Sequence, residues 1–468
     1  MSGYTLARTT NRRLRVLSTI AIACLASALT WPATAYANSP LPTGPHNAIT
    51  DVPGVEVGQY TDRSAATGTT DLIFPNGALV GADPAGGSPG DRMTTLFMAG
   101  KQDLFYTPSN GIMLNGGSSF GLEAACGLVN YLRQHGMGQK LFGTNYIVPQ
   151  VPGAIIFDLT RGNDYSTKKT DLIPDTCSWG YRAAQAASSG PVQEGSVGAG
   201  TGAMSGGIKG GVGTASTDLG HGIYVGALVV VNSGGKTYNV DDKCELYTAY
   251  LQQDNEFGDL RTPPHGCRTT SGKNAATTTP AATGGVDTNT TIGVIATNAA
   301  LSPAEAVDLA NLTSDGDARA IRPSHMGGNG DTVFAVSTAA SHPGIDAGSF
   351  GTLAGDAADA YSRAIDHAIL SAQNLGVAAT YCETFQGACG PPGQHGSAAS
   401  AVTGSHGGNP PSASSKTSSS LASWISANLG NWHITTPSAL MFAALVWAWI
   451  ARRRRIGHPK AVTGTTHA

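Results

Sequence analysis

Asn289-Thr290-Thr291-Ile292-Gly293-Val294-Ile295-Ala296-Thr297-Asn298 decides how the chain folds. The run is almost continuously β-branched and apolar, the pattern of a strand buried on both faces. Residues 268–288 before it are mostly Thr, Ala and Gly, with hardly a large apolar side chain. A polar loop that runs straight into a core strand beginning Asn-Thr-Thr has a chemical reading. If the chain cuts itself before Thr290, that threonine carries its own nucleophile and, in its freed α-amine, its own base. Threonine also starts many strands through β-propensity alone, so the surrounding segments have to decide.

Downstream, Ser302-Pro303-Ala304-Glu305 is a capping box with proline in the first helical turn and predicts a helix start. Residues 327–338 read as a glycine turn followed by another core strand, and a helix is expected over Leu353–Gln373. Upstream, Ile223–Val231 is an apolar strand ending at Asn232-Ser233-Gly234-Gly235. Before it, residues 195–216 are glycine-rich around Lys209. No GK[ST] closes the spacing of a P-loop, so a phosphate cradle is not expected. Glycines around one lysine suit a close approach of backbone to ligand, or an irregular hairpin with a solvated lysine. Gly153–Asp158 predicts a buried strand. Thr69–Ile73 and Ala78–Gly81 predict two short ones, and Asn47–Gly58 a hairpin start around Pro53-Gly54. Strands alternating with a few long helices indicate a layered α/β or α+β domain.

Gly117-Ser118-Ser119-Phe120-Gly121 contains G-x-S-x-G between a strand and a helix, the context of a nucleophile elbow at Ser119. That mechanism also needs a downstream acid and histidine. His221, His265 and His325 are available, none with a distinguishing context.

Composition and the two ends bound the rest. At 468 residues and 41% hydrophobic, the chain can bury a full core. A charged fraction of 13% and a net charge of −3 argue against a nucleic-acid partner. Residues 1–37 read as a signal peptide: Arg8, Arg12, Arg13 and Arg15, an apolar stretch from Val16 to Leu29, then Ala35-Tyr36-Ala37. Residues 390–433 form a Ser/Gly/Pro-rich linker with a short amphipathic end. Residues 434–451 are an apolar run of the length that can just span a bilayer, and 452–468 open on Arg452–Arg455, which favours a cytoplasmic tail. The folded domain is therefore expected outside the cytoplasm, anchored to the membrane. Outside the signal lie Cys126, Cys177, Cys244, Cys267, Cys382 and Cys389. Export permits disulfides, with Cys382–Cys389 and Cys244–Cys267 as local guesses. No His/Cys spacing suggests a metal site, and no cofactor is expected.

Taken in order, several segments resemble the P1 peptidase family, the DmpA-like aminopeptidases and the related nylon-oligomer hydrolase. The resemblance covers about Asn47 to Gly376. It rests on ITDVPGVEVG at Ile49–Gly58, GGSPGDR at Gly86–Arg92 and LNGGSSFGLEAACG at Leu114–Gly127. It rests further on GTGAMSGGIKGGVGTAS at Gly200–Ser216, NTTIGVIATNA at Asn289–Ala299 and GDTVFAVST at Gly330–Thr338. It implies an αββα layered sandwich, made as one chain that cleaves itself at Asn289–Thr290 into subunits 38–289 and 290–389. A homo-oligomer of such pairs is implied as well.

The implied substrates are short peptides, amino-acid amides, β-peptides or ω-amide oligomers, hydrolysed through an acyl-enzyme on Thr290. By the same resemblance Asn232 matches an oxyanion-stabilising asparagine, and Lys209 matches an active-site lysine of the nylon hydrolase branch. Asn329 and Asp331 match a polar pair that contacts the nucleophile. Two positions depart from the pattern: relatives carry Asp or Ser at Asn329, and several carry a tyrosine at Phe157. Ornithine acetyltransferase also self-cleaves before threonine, but the export signal argues against that cytoplasmic acyl transfer. A non-catalytic surface module of the same fold is the remaining alternative.

Overall fold

The computed structural model describes residues 41–98, 107–159, 161–162, 175–269 and 289–390. The signal segment, the linker beyond Gly390, the apolar run 434–451 and the tail lie outside these residues. The described residues from Pro42 to Gly390 belong to one compact unit. Among the described residues no helix is long and apolar enough to cross a membrane.

In chain order the strands are β1 (Glu56–Asp62), β2 (Thr67–Asp83), β3 (Asp91–Arg92), β4 (Ser109–Asn115), β5 (Gln139–Lys140), β6 (Ile147–Val148) and β7 (Gly153–Ile155). They continue with β8 (Met204–Ser205), β9 (Ile208–Lys209), β10 (Gly211–Asp218), β11 (Tyr224–Asn232), β12 (Thr290–Thr297) and β13 (Thr332–Ser337). The α-helices are α1 (Ala124–Gln134), α2 (Thr176–Gln185), α3 (Pro303–Ala320), α4 (Ala347–Leu370) and the single turn α5 (Tyr381–Thr384). Nine strands join in the path β10-β11-β12-β13-β2-β4-β7-β3, with β1 added beside β2, while β5–β6 and β8–β9 are separate ribbons.

β2 makes this two layers. Its first half pairs with β1 and β4 and its second half with β13, so one strand serves both faces. The sequence predicts two short strands here, Thr69–Ile73 and Ala78–Gly81. Instead the register shifts between Ile73 and Ala78 within one strand, with Gly77 at φ +75°. Such a bulge tolerates a proline that donates no ladder bond. The hairpin expected at Pro53-Gly54 is also corrected: a 3-10 turn, Ile49–Asp51, precedes the single strand β1. Its Asp51 side chain accepts from Ala48 N, which favours the turn over extended pairing.

Three apolar layers hold the sandwich. Between the sheets Leu72, Ile112 and Leu114 meet Leu228, Val230, Ile292, Val294, Phe334 and Val336. Outside one sheet, Val229, Ile295 and Ala335 pack on Leu309, Leu353 and Ile365 of α3 and α4. Outside the other, Ile73 and Met113 pack on Leu128, Leu132 and Ala184 of α1 and α2. This is the αββα order that the resemblance implies. Each fully buried aliphatic side chain contributes about 1.5–3 kcal/mol, so β12, buried at every position, is among the best-anchored elements.

The β12 alternation sends Ile292, Val294 and Ala296 inward and Ile295 to the helices. Gly293 is required by close approach, since a Cβ there would meet Tyr361 Oη at 2.6 Å. Helix α3 starts at the expected capping box: Glu305 N donates to Ser302 Oγ and Ser302 N to Glu305 Oε2. Helix α4 begins earlier than expected, at Ala347, because the Asp346 carboxylate caps the amides of Gly348 and Ser349.

Pairing directions then fix the site. β12 and β13 run parallel, with α3 in the crossover between them, so their N-terminal ends lie side by side. β11 is antiparallel to β12, which brings its last residue opposite the first residue of β12.

Candidate active site

Thr290 is the first residue of β12 and is paired in register with Asn232, the last of β11. Asn289 bridges to Asn329 just ahead of β13. Thr290, Asn289, Asn232, Asn329 and Asp331 are therefore brought together at one end of the sheet. The Thr290 hydroxyl donates to the carbonyl oxygen of Asn289 at 2.6 Å. The same oxygen accepts from Gly330 N at 3.0 Å. Two packing contacts hold this peptide in place. A Cβ on Gly330 would lie 2.8 Å from Thr290 Oγ1, and one on Gly234 would lie 2.4 Å from Asn289 Nδ2. Both glycines are thus needed for backbone to press against the Asn289–Thr290 unit.

Asp331 secures the residue behind the threonine. Its Oδ1 accepts from Thr291 N at 2.7 Å. Its Oδ2 accepts from Asn329 Nδ2 at 3.1 Å, from His325 N at 3.0 Å and from His325 Nδ1 at 3.1 Å. Asn329 is buried, and its Oδ1 has no hydrogen-bond partner. Beyond His325 stands Asp317 of α3, fully buried, with Oδ2 3.7 Å from His325 Nδ1. Burial, reinforced by the neighbouring Asp331 charge, pushes the Asp317 carboxyl well above the usual range, while His325 acts in the opposite direction.

Asp317, His325 and Asp331 offer ligand atoms within 4.8 Å of one another, a grouping able to hold a cation. Sequence spacing gives no hint of it, because two of the three residues are aspartates on separate elements. Asp331 Oδ2 is bonded to Asn329 Nδ2, His325 N and His325 Nδ1, so a cation held there would have to take the place of the His325 Nδ1 contact.

On the other side of the Asn289–Thr290 bond lies a second polar group. Asn232 Oδ1 accepts from Arg161 Nη1 at 2.5 Å and from Met204 N at 3.1 Å, while its Nδ2 donates to Phe157 O at 3.4 Å. The glycine-rich block forms the β8–β9 ribbon, turned by Gly206 and Gly207 at positive φ. This ribbon carries Lys209 into the interior, where Nζ donates to Gly200 O at 3.1 Å and Gly210 O at 2.7 Å. A solvated lysine is thereby corrected to a fully buried one. Burial, aided by the Arg161 charge and opposed by Asp158, lowers the Lys209 pKa to about 7. Asp158, also buried and bonded to Gly117 N, is pushed up to about 6 by burial. An amine and a carboxyl moved toward neutrality, both interacting with the Arg161 that holds Asn232, mark a site suited to chemistry.

Arg161, Asp158 and His325 were not singled out for these positions by the sequence. The available signal was Asp-x-x-Arg at the end of a buried strand. Ser119 is exposed on a 3-10 turn, Ser118–Glu123, away from His325, which bonds Asp331 instead. The elbow reading is thereby set aside. All three disulfides form, Cys126–Cys177, Cys244–Cys267 and Cys382–Cys389, and the latter two are the expected local pairs.

Comparison with known proteins shows the family. The family model described as peptidase family S58 matches residues 47–381. An uncharacterised aminopeptidase of Mycobacterium leprae (strain TN) is 37% identical, over 75% of this chain and 97% of its own length. A 6-aminohexanoate-oligomer endohydrolase of Kocuria sp. (strain KY2) is 30% identical, over 63% of this chain and 76% of its own. Among solved structures, the L-aminopeptidase D-Ala-esterase/amidase of Ochrobactrum anthropi, described as a variant of the Ntn hydrolase fold, superposes with TM-score 0.50 at 24% identity. That match covers 71% of this chain and 90% of that one and speaks for the fold alone.

Proposed function

From the premise that the chain belongs to peptidase family S58 and is an N-terminal-nucleophile amide hydrolase, we propose that it cuts itself at Asn289–Thr290 and then works through Thr290. The observation that carries this is the Asn289 carbonyl oxygen, held between the Thr290 hydroxyl at 2.6 Å and Gly330 N–H at 3.0 Å. A carbonyl with a fixed donor on its oxygen and a hydroxyl alongside is polarised for attack. Thr290 Oγ adds to the carbonyl carbon, its proton passes to the amide nitrogen, the C–N bond breaks, and the protonated nitrogen leaves as the new α-amine. Water then hydrolyses the ester, giving the Asn289 carboxylate and restoring the hydroxyl.

In turnover the freed amine, with an ordinary pKa of about 8, takes the Oγ proton as the hydroxyl attacks a substrate amide. It returns that proton to the departing amine, and water cleaves the acyl-enzyme. Asn232, fixed by Arg161, supplies Nδ2 to the oxyanion. Lys209, near neutral pH, is available for proton exchange or for orienting a substrate carbonyl. Asn329 and Asp331 hold the strand end that bears the nucleophile.

Substrates in this reading are short peptides, amino-acid amides or ω-amide oligomers, in keeping with the names of the relatives. The processed pairs assemble as a homo-oligomer. The domain sits outside the cytoplasm, carried by a signal peptide and held by the C-terminal apolar run. Three disulfides are in keeping with that oxidising location.

Each of these disulfides joins cysteines on one side of Asn289–Thr290. Wild-type protein should therefore give two bands on a denaturing gel even without reductant, the smaller beginning Thr-Thr-Ile-Gly. Thr290→Ala should stay a single chain and lose at least about 10⁴-fold in kcat/KM on a panel of amino-acid p-nitroanilides, β-peptides and ω-amide oligomers. An uncut chain that still hydrolyses any of these would sink the mechanism.

A further inference from the structure

We infer that His325 is a positioning residue for Thr290: as an imidazolium it locks the Asp331 carboxylate against the first peptide group behind the nucleophile. The inference rests on the proposed role of Thr290 and goes beyond it, since nothing in that reading requires a histidine.

The geometry specifies the proton count. His325 Nδ1 faces Asp331 Oδ2 at 3.1 Å and Asp317 Oδ2 at 3.7 Å. His325 Nε2 faces the backbone carbonyl of Ser314 at 3.3 Å. The Asp331 oxygen, which also accepts from His325 N and Asn329 Nδ2, and the Ser314 carbonyl are both acceptors, so both ring nitrogens must donate, which only the charged imidazole can do. The ring is held from two elements, α3 through Ser314 and Asp317 and the β13 approach through Asp331. The groups facing it are all acidic or neutral. Asp317 and Asp331 flank it, Asp83 of β2 accepts from the Ser314 hydroxyl at 2.7 Å, and the Tyr361 hydroxyl of α4 feels Asp317, Asp331 and Asp83. Bonding to Asp331 raises the His325 pKa to about 9 against the opposing effect of burial. The cation is therefore intact at neutral pH and is lost as pH rises through that value.

The consequence reaches the nucleophile through one residue. Asp331 Oδ1 holds Thr291 N at 2.7 Å, and a shift of the strand end by about 1 Å is enough to cost on the order of 10²-fold in rate. Without the imidazolium, two carboxylates face each other in the interior with no cation between them. The buried Asp317 carboxyl, already pushed up by burial and the Asp331 charge, then stands against Asp331 without the donor that holds it in place.

His325 has φ +52°, a conformation that asparagine tolerates. His325→Asn therefore keeps the backbone and one donor while removing the charge. We expect kcat to fall about 10- to 100-fold with KM changed little, and the alkaline limb of the kcat–pH profile near 9 to disappear. Adding Asp317→Asn to that variant removes the opposing carboxylate. It should recover part of kcat without bringing the limb back, and it serves as the stable form should the single variant fold poorly. Dialysis against a chelator should leave the wild type unchanged.

A His325→Asn profile that superimposes on the wild type overturns the inference while leaving the role of Thr290 standing. Activity lost on chelation and restored by zinc also overturns it, because Nδ1 would then bind metal and carry no proton. A wild-type chain that is never cut removes both readings.

Discussion

Two buried polar clusters sit at opposite ends of the same strands, and they are built to opposite purposes. One surrounds Thr290. The other lies where Ser216 of β10 pairs with Gly226 and Gly226 with Ala296, about 20 Å along β12 from Thr290. There Arg363, fully buried on α4, makes a bidentate pair with Glu256 at 2.6 and 2.7 Å and donates to Ser216 O, Thr217 Oγ1 and Asn47 Oδ1. His367 bridges from Glu256 at 3.0 Å to Glu194 at 3.6 Å.

The charges of this second cluster are pushed away from neutrality. Although burial works against it, pairing with His367 and Arg363 takes Glu256 down to about 2. Likewise, against burial, the two glutamates take His367 up to about 10. At the Thr290 end, Lys209 and Asp158 are moved toward neutrality, and Asn329 Oδ1 and Asp317 Oδ1 lack hydrogen-bond partners. The saturated charges of Arg363, Glu256 and His367 do not titrate near pH 7 and serve structure; the adjoining Asp366, pushed up to about 8 by burial, is the exception there. Unsaturated groups that can exchange protons serve chemistry.

The clasp also has a use in the proposed function. Asn47, Glu194, Ser216 and Glu256 precede the Asn289–Thr290 bond, and Arg363 and His367 follow it. With no disulfide across that bond among the described residues, this ion cluster and the β11–β12 pairing would keep the two fragments together.

Three experiments press on the contrast. Asn232→Ala removes one oxyanion donor and should cost about 10²–10³ in kcat, with a stability loss of about 1–3 kcal/mol from the Arg161 and Met204 donors it leaves unpaired; a loss as large as that of the next variant would blur the two roles. Arg363→Met does the converse. It strands Glu256 in the interior and should destabilise by about 3–5 kcal/mol in denaturant unfolding, with kcat of the folded enzyme retained. The Glu256 contribution is present above the ordinary carboxylate range and fades as pH falls toward 2. That of His367 is complete below about 6.5, its ordinary value, and fades as pH rises toward 10. The contribution of these two groups should thus be largest between about pH 5 and 6.5, and Arg363→Met should remove most of its fall on the acid side. Ser119→Ala, on an exposed turn, should change processing and kcat by less than twofold; loss of either would revive the nucleophile elbow.

Much of the sandwich was legible along the chain. β12, β11 and α3 follow from an apolar run, a second such run and a capping box, all local signals. β2 was read as two short strands, and only pairing with β13 and β4 shows that one strand crosses both sheets. α2 carried no reading of its own. At the site, Thr290, Asn232, Lys209, Asn329 and Asp331 were named through resemblance. Arg161 and His325 were not assigned their places, since a charged residue in a loop looks solvated until its partners are known.

By itself the sequence determined which segments are strands and helices and that a threonine heads the central one, because periodicity and capping are properties of neighbouring residues. Tertiary structure alone decided which charges share the interior with that threonine. Parallel pairing of β12 with β13 joins residues 40 apart, Thr291 and Asp331, and α3 adds Asp317. Burial of these groups in one low-dielectric volume then moves protons in ways that no single residue encodes.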